Sequence, residues 1–106
     1  VEAGAAIVPN GAVPARANDL DGLPPTFLWV GSMDLFAQEN LAFAARLAAA
    51  GVPVQLHLSP GVYHGFDGAA PASAITIGYK LAMFRALAEA LGCSLAPQAL
   101  DLISPA

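Results

Sequence analysis

Leu23-Pro24-Pro25-Thr26-Phe27-Leu28-Trp29-Val30-Gly31-Ser32-Met33-Asp34 decides the fold, read together with Val54-Gln55-Leu56-His57-Leu58 and the Gly61-Val62-Tyr63-His64-Gly65-Phe66 that follows it. Pro24-Pro25 fixes two φ angles and biases the residue before it toward extended backbone, so the chain enters Thr26 to Val30 as a strand. Phe-Leu-Trp-Val is apolar on both faces, the mark of a strand covered on both sides, as in a parallel sheet with flanking helices. Gly31-Ser32 ends the strand, and Asp34 follows at its carboxyl end. In the second run Val54, Leu56 and Leu58 share one face while Gln55 and His57 share the other, which predicts an edge strand with one partly wet face.

Between the two runs, Leu35 to Ala50 carries apolar residues at 41, 44, 47 and 48 at helical spacing, with Gly51 placed to terminate it. Glu39 near its start and Arg46 near its end both suit the helix dipole. This segment predicts a crossover helix. Gly61 to Pro71 reads as a loop around His64, and from Ser73, an N-cap candidate, the pattern Ile77, Leu81, Phe84, Ala88, Leu91 predicts a second helix stopped by Gly92. Residues 1–22 read as an irregular entry loop and residues 93–106 as a tail without clear period. Residues 23–92 are therefore the structured part, and the fold class is α/β: strand, helix, strand, helix, with two parallel strands and two main helices. Two strands are too few for a doubly covered sheet, so an upstream part of the same fold, or a self-association partner, is expected to cover the strand edge.

Bulk composition agrees. The chain has 106 residues, 57% of them hydrophobic and 11% charged, more apolar matter than a domain of this size can hide. Together with Val1 in place of an initiator methionine, this leads us to expect a fragment or a processed chain. Proline, glycine and polar residues break every apolar stretch short of the ~20 residues of a membrane span. Four scattered basic residues and a formal net charge of −4 offer nothing to a nucleic-acid backbone. A single cysteine, Cys93, excludes an internal disulfide and a Cys-rich metal site and fits a cytoplasmic location.

In open α/β sheets, functional groups gather beyond the carboxyl ends of the strands, where Asp34 and His64 both fall. Adjacent strands lie about 5 Å apart, so a carboxylate after one reaches an imidazole on the loop after the next. An aspartate on one ring nitrogen sets the tautomer of a histidine and leaves the other nitrogen to take a proton from a nucleophile. The same two residue types at loop ends also occur in inert domains, with the aspartate a helix cap and the histidine incidental.

Gly22-Leu23-Pro24-Pro25-Thr26, Val30-Gly31-Ser32-Met33-Asp34, Glu39-Asn40, Arg46 to Val54 and Pro60-Gly61-Val62-Tyr63-His64-Gly65-Phe66 together resemble the C-terminal third of the hormone-sensitive-lipase-like branch of the α/β-hydrolases. The resemblance spans about residues 14 to 91, and His-Gly-Phe after Pro-Gly is its most specific part. It implies a carboxylic ester hydrolase acting on a small-molecule ester without cofactor, with Asp34 the triad acid and His64 the triad base. It also implies that the serine elbow Gly-x-Ser-x-Gly and the His-Gly-Gly oxyanion element lie upstream, since none of the five serines here is set in such an elbow. The isolated chain is accordingly expected to be inactive. Where the family usually has Asp-Pro-Leu-Arg-Asp-Glu, this sequence has Asp34-Leu35-Phe36-Ala37-Gln38-Glu39, keeping only the first and last acids.

Other residues carry weaker claims. His57 is not at metal-ligand spacing from His64 and reads as a surface residue, so no metal site is proposed. Asp67 competes with Asp34 as the acid but sits three residues from His64 on the same loop. Tyr63 and Phe66 flank the histidine and are candidates to bind substrate, with packing of the loop as their other role. A non-catalytic small-molecule binder or inactive remnant of the same fold is the alternative function; the gibberellin receptors resemble this branch and bind a small acid, but depart from the triad at the histidine, which is present here. A doubly wound nucleotide module is disfavoured, because no glycine-rich phosphate loop occurs.

Overall fold

Strand β1 (Thr26–Gly31) pairs in parallel with strand β2 (Val54–Ser59), placing Leu28 opposite Leu56, Trp29 opposite His57 and Gly31 opposite Ser59. Helix α1 (Ala37–Ala49) connects them; α2 (Phe66–Ala69), α3 (Ala74–Ala90) and α4 (Pro97–Ile103) follow β2. The computed structural model describes residues 3–9 and 12–103, so parts of the entry loop (1, 2, 10, 11) and of the tail (104–106) lie outside the described residues. Among these residues no helix is long and apolar enough to cross a membrane.

The helix α1 stops where the sequence says it must. Gly51 adopts φ +80°, its N–H donates to the Ala48 carbonyl at 3.0 Å, and the Val52 N–H donates to the Leu47 carbonyl at 3.0 Å. These are the two bonds of a Schellman end, and the apolar contact that accompanies it is present, since Leu47 and Val52 belong to one buried cluster with Leu20. Leu47 is only 1% exposed, and burying a leucine to that degree stabilises by about 2–3 kcal/mol. Leu28 and Val54 pack on this cluster, so α1 covers the sheet face that carries the even-numbered residues. On the opposite face Tyr79 of α3 stacks on Trp29 at 3.8 Å between ring centroids. The start of α3 is capped as expected: the Ser73 hydroxyl accepts from the Thr76 N–H at 3.1 Å. β1 is thus covered on both faces, while one of its edges is unpaired among the described residues.

Several local expectations need correction. The face of β2 carrying Gln55 and His57 is partly wet as expected, with Gln55 exposed and the half-buried His57 ring 5.1 Å from Phe27, but it is not alone in this: Leu56 and Leu58 on the other face are 39% and 46% exposed. Cover from α1 reaches Val54 at the start of β2, while Leu56 and Leu58 further along the same face stay partly open. Leu35 and Phe36 stand outside α1, because turn bonds centred on Asp34 delay the helix to Ala37. The loop after His64 contains the single turn α2, and residues without visible period form α4, which starts on a proline, packs on α3 and buries Ile103.

Arg46 does more than complement a dipole. Its guanidinium donates to the Ala15 carbonyl at 2.7 Å and to the Ala17 carbonyl, pinning the 3₁₀ turn Pro14–Arg16 and the chain after it against α1. Charge-assisted bonds of this kind are worth about 1.5–3 kcal/mol each before screening, and Arg46 is half-buried. Arg46→Ala is expected to cost about 1–2 kcal/mol of local stability and to speed tryptic cleavage after Arg16 roughly 5- to 30-fold, measured by limited proteolysis of the whole protein.

Candidate active site

Beyond Gly31 and Ser59 the two strands keep pairing as loops. The Ser32 N–H donates to the Ser59 carbonyl at 2.9 Å and the Met33 N–H to the Val62 carbonyl at 3.0 Å, while the Ser32 hydroxyl accepts from the Gly61 N–H at 2.7 Å. This zipper fixes the loop carrying Asp34 against the loop carrying His64. In the sequence Ser32 marks only the end of a strand, and a hydroxyl one residue past a strand-ending glycine is its one visible signal.

Across that zipper, His64 Nδ1 lies 2.8 Å from Asp34 Oδ2. The other carboxylate oxygen, Oδ1, accepts from the Phe36 N–H at 2.8 Å, an Asx turn that sets the entry to α1. The helix-capping and histidine-orienting roles, alternatives in the sequence, therefore fall to different oxygens of one carboxylate. Since an ionised carboxylate only accepts, Nδ1 carries the proton and Nε2 is the free acceptor. Exposure is divided just as sharply: the Asp34 side chain is 8% exposed and the His64 side chain 74%.

The Phe36 N–H holds the Asp34 carboxyl below an aspartate's ordinary 3.8; burial pushes it up, and the bond to and charge of His64 again lower it. With the folded value below the unfolded one, the carboxylate contributes stability above that ordinary range, and the contribution is lost as pH falls through the folded value.

The remaining candidates lie apart from this pair. Tyr63 and Phe66 stack edge-to-face on each other at 5.4 Å, with Tyr63 exposed and Phe66 half-buried. Asp67 sits in the first turn of α2, where its charge, after burial, helps push the Tyr79 hydroxyl up. His57 is 2.9 Å from the Gln55 amide nitrogen, on the sheet face away from α1. Among the described residues no group of three His, Cys, Asp or Glu is placed to hold a metal ion. A cleft of about 410 Å³ opens beside the pair, lined by Asp34, Phe36, His64 and, along the unpaired edge of β1, by Leu28, Trp29 and Val30.

A family model described as alpha/beta hydrolase fold matches residues 5–68. The chain belongs to the α/β-hydrolases. Its relatives place this α/β-hydrolase in the hormone-sensitive-lipase-like branch that the motifs suggested. It is similar to Esterase LipI of Mycobacterium tuberculosis (strain ATCC 25618 / H37Rv), 37% identical over 60 residues covering 57% of this chain and 19% of the relative. It is similar also to Carboxylesterase NlhH of Mycobacterium tuberculosis (strain CDC 1551 / Oshkosh), 35% identical over 82 residues covering 74% of this chain and 25% of the relative. Among solved structures a Bacterial Heroin Esterase superposes with a TM-score of 0.57 at 37% identity, covering 90% of this chain and 26% of the other. The α/β-hydrolase chain thus spans about a fifth to a quarter of the length of these relatives.

Proposed function

We propose that this chain supplies the acid and the base of a Ser-Asp-His carboxylic ester hydrolase, Asp34 as acid and His64 as base, the serine and the oxyanion donors coming from residues N-terminal to it. The observation that carries this reading is the 2.8 Å bond from His64 Nδ1 to Asp34 beyond the carboxyl ends of two paired parallel strands. His64 Nε2 removes the serine proton as the serine oxygen attacks the ester carbonyl carbon. Collapse of the tetrahedral intermediate breaks the bond to the alcohol oxygen, which leaves with the proton from Nε2. Water then attacks the acyl-enzyme with His64 again as base, releasing the carboxylic acid and the serine. Asp34 keeps its charge throughout and steadies the imidazolium. Exposed Tyr63, backed by Phe66, precedes His64 in the chain and is a further aromatic surface for an acyl or alcohol group, outside the cleft that Phe36 and His64 line. The open edge of β1 takes its neighbour from the rest of the sheet, and without that part the chain hydrolyses nothing.

The test is a p-nitrophenyl butyrate assay on the whole protein containing these residues, together with labelling by a fluorophosphonate and mapping of the labelled peptide. Turnover with stoichiometric labelling of one serine N-terminal to Val1 is the expected result. A protein that binds the ester without turnover and takes no label would be a binder on the same fold instead.

A further inference from the structure

The imidazole of His64 is 74% exposed, yet its chemistry requires one orientation, with Nδ1 on Asp34 and Nε2 facing the nucleophile. Terminal torsions of this sp³–sp² kind are broad and roughly two-fold, so a single hydrogen bond to an exposed ring leaves it free to swing. Among the described residues a second contact restrains it: the Phe36 ring stands edge-on to the imidazole, with centroids 5.8 Å apart and planes at 73°. Phe36 is tied to the same carboxylate through its backbone N–H, so one residue fixes the acid by its main chain and touches the base with its side chain. The ring is half exposed and lies outside α1, and core packing does not explain it.

From this geometry we infer that Phe36 is a positioning residue of the Asp34–His64 pair, acting through the edge-on contact of its ring to hold the imidazole in the orientation that presents Nε2. The inference rests on the hydrolase reading for its effect on turnover, but not for its effect on the ring. An edge-to-face aromatic pair is worth the equivalent of about a two- to ten-fold change in population, and that sets the scale of what its loss does.

Phe36→Leu, Phe36→Ala and Phe36→Tyr in the whole protein test it. The leucine and alanine variants are expected to lose about two- to ten-fold in kcat on both p-nitrophenyl acetate and butyrate at unchanged KM, with a fully cooperative urea transition whose midpoint is only slightly lowered, while the tyrosine variant keeps the wild-type rate. In a His64→Ala background the Phe36 substitutions have no further effect. Independently of turnover, the hydrogen-bonded Nδ1 proton of His64 gives a sharp low-field NMR signal in the wild type and Phe36→Tyr that broadens into exchange in Phe36→Leu. An altered KM or acyl-length preference with kcat intact would make Phe36 a substrate contact and overturn the positioning role. An unchanged proton signal in Phe36→Leu would overturn it as well. Failure of the wild type to hydrolyse either ester sinks the hydrolase reading alone, because the NMR comparison still decides whether Phe36 orders the ring.

Discussion

In the whole protein, His64→Ala is expected to lower kcat/KM for p-nitrophenyl butyrate by about a million-fold and Asp34→Asn by about ten-thousand-fold. Both proteins fold. His64 is largely exposed and its removal opens no cavity, so the protein folds with a modestly lowered urea midpoint that reflects the lost bond to Asp34 and the lost contact with Phe36. The asparagine tests a finer point. Its Oδ1 still accepts from the Phe36 N–H, which preserves the turn into α1, but its amide donates where the carboxylate accepted, so His64 is driven to carry its proton on Nε2. A histidine protonated there cannot take the proton of a serine.

Asp34→Ala separates the two duties of the carboxylate. It leaves the Phe36 N–H without its partner and loses the bond to His64, so stability and activity fall together, whereas Asp34→Asn keeps the turn bond and loses from stability only what the carboxylate charge contributes above its ordinary titration range, a smaller fall than in Asp34→Ala. Steady-state kinetics beside equilibrium unfolding of the three variants distinguish these outcomes. Retention of more than a tenth of wild-type kcat/KM in either His64→Ala or Asp34→Asn would remove the pair from the mechanism.

What the sequence made legible were features written in backbone chemistry and local pattern. Pro24-Pro25 before an unbroken apolar run announced β1, Gly51 after a helical pattern announced the end of α1, and Ser73 announced the cap of α3. Topology placed Asp34 and His64 at the same end of the sheet, since parallel strands bring their carboxyl ends together, and left their role open. The resemblance of Val30 to Asp34 and of Pro60 to Phe66 to the hydrolase branch is what implied that they act as a pair. Features that depend on which neighbour sits where were not legible. The alternation in β2 was visible and its polar side is partly wet, but that Leu56 and Leu58 on the apolar side are open as well depended on how far the cover of that face extends. Arg46 looked like a dipole partner because the carbonyls it binds are 29 and 31 residues away. Phe36 looked like the opening of a helix because its relation to His64 spans two loops. The glycine at 31 looked like a strand terminator, when its want of a side chain is what lets the two loops approach.

Gly31→Ala is expected to be the most damaging substitution to the fold outside the buried cluster. A Cβ at this position would stand 2.0 Å from the Val62 carbonyl oxygen and 2.5 Å from its carbonyl carbon. Both are backbone atoms, so no rotamer change relieves the clash, and trimming Val62 to alanine does not help. The loop must move, and the bonds in its path are those that zip the site together, from the Met33 N–H to Val62 and from Gly61 to the Ser32 hydroxyl. Overpacking costs about 1–3 kcal/mol and each of the two broken hydrogen bonds about 1, so roughly 3–5 kcal/mol of destabilisation is expected. Displacing Val62 also displaces His64 two residues on, and a shift of about 1 Å in a catalytic group costs on the order of a hundred-fold in rate. Gly78→Ala in α3 is the matched control: nothing lies within 4 Å of a Cβ there, and alanine in a helix is favoured by about 0.5–1 kcal/mol, so it stabilises. Urea unfolding of the two variants reads opposite signs, and Gly31→Ala falling within 1 kcal/mol of wild type would mean that the two loops are held apart rather than zipped. Should Gly31→Ala give no folded protein, Ser32→Ala reports on the same zipper more gently, losing one side-chain bond and about 1 kcal/mol while leaving the backbone path open.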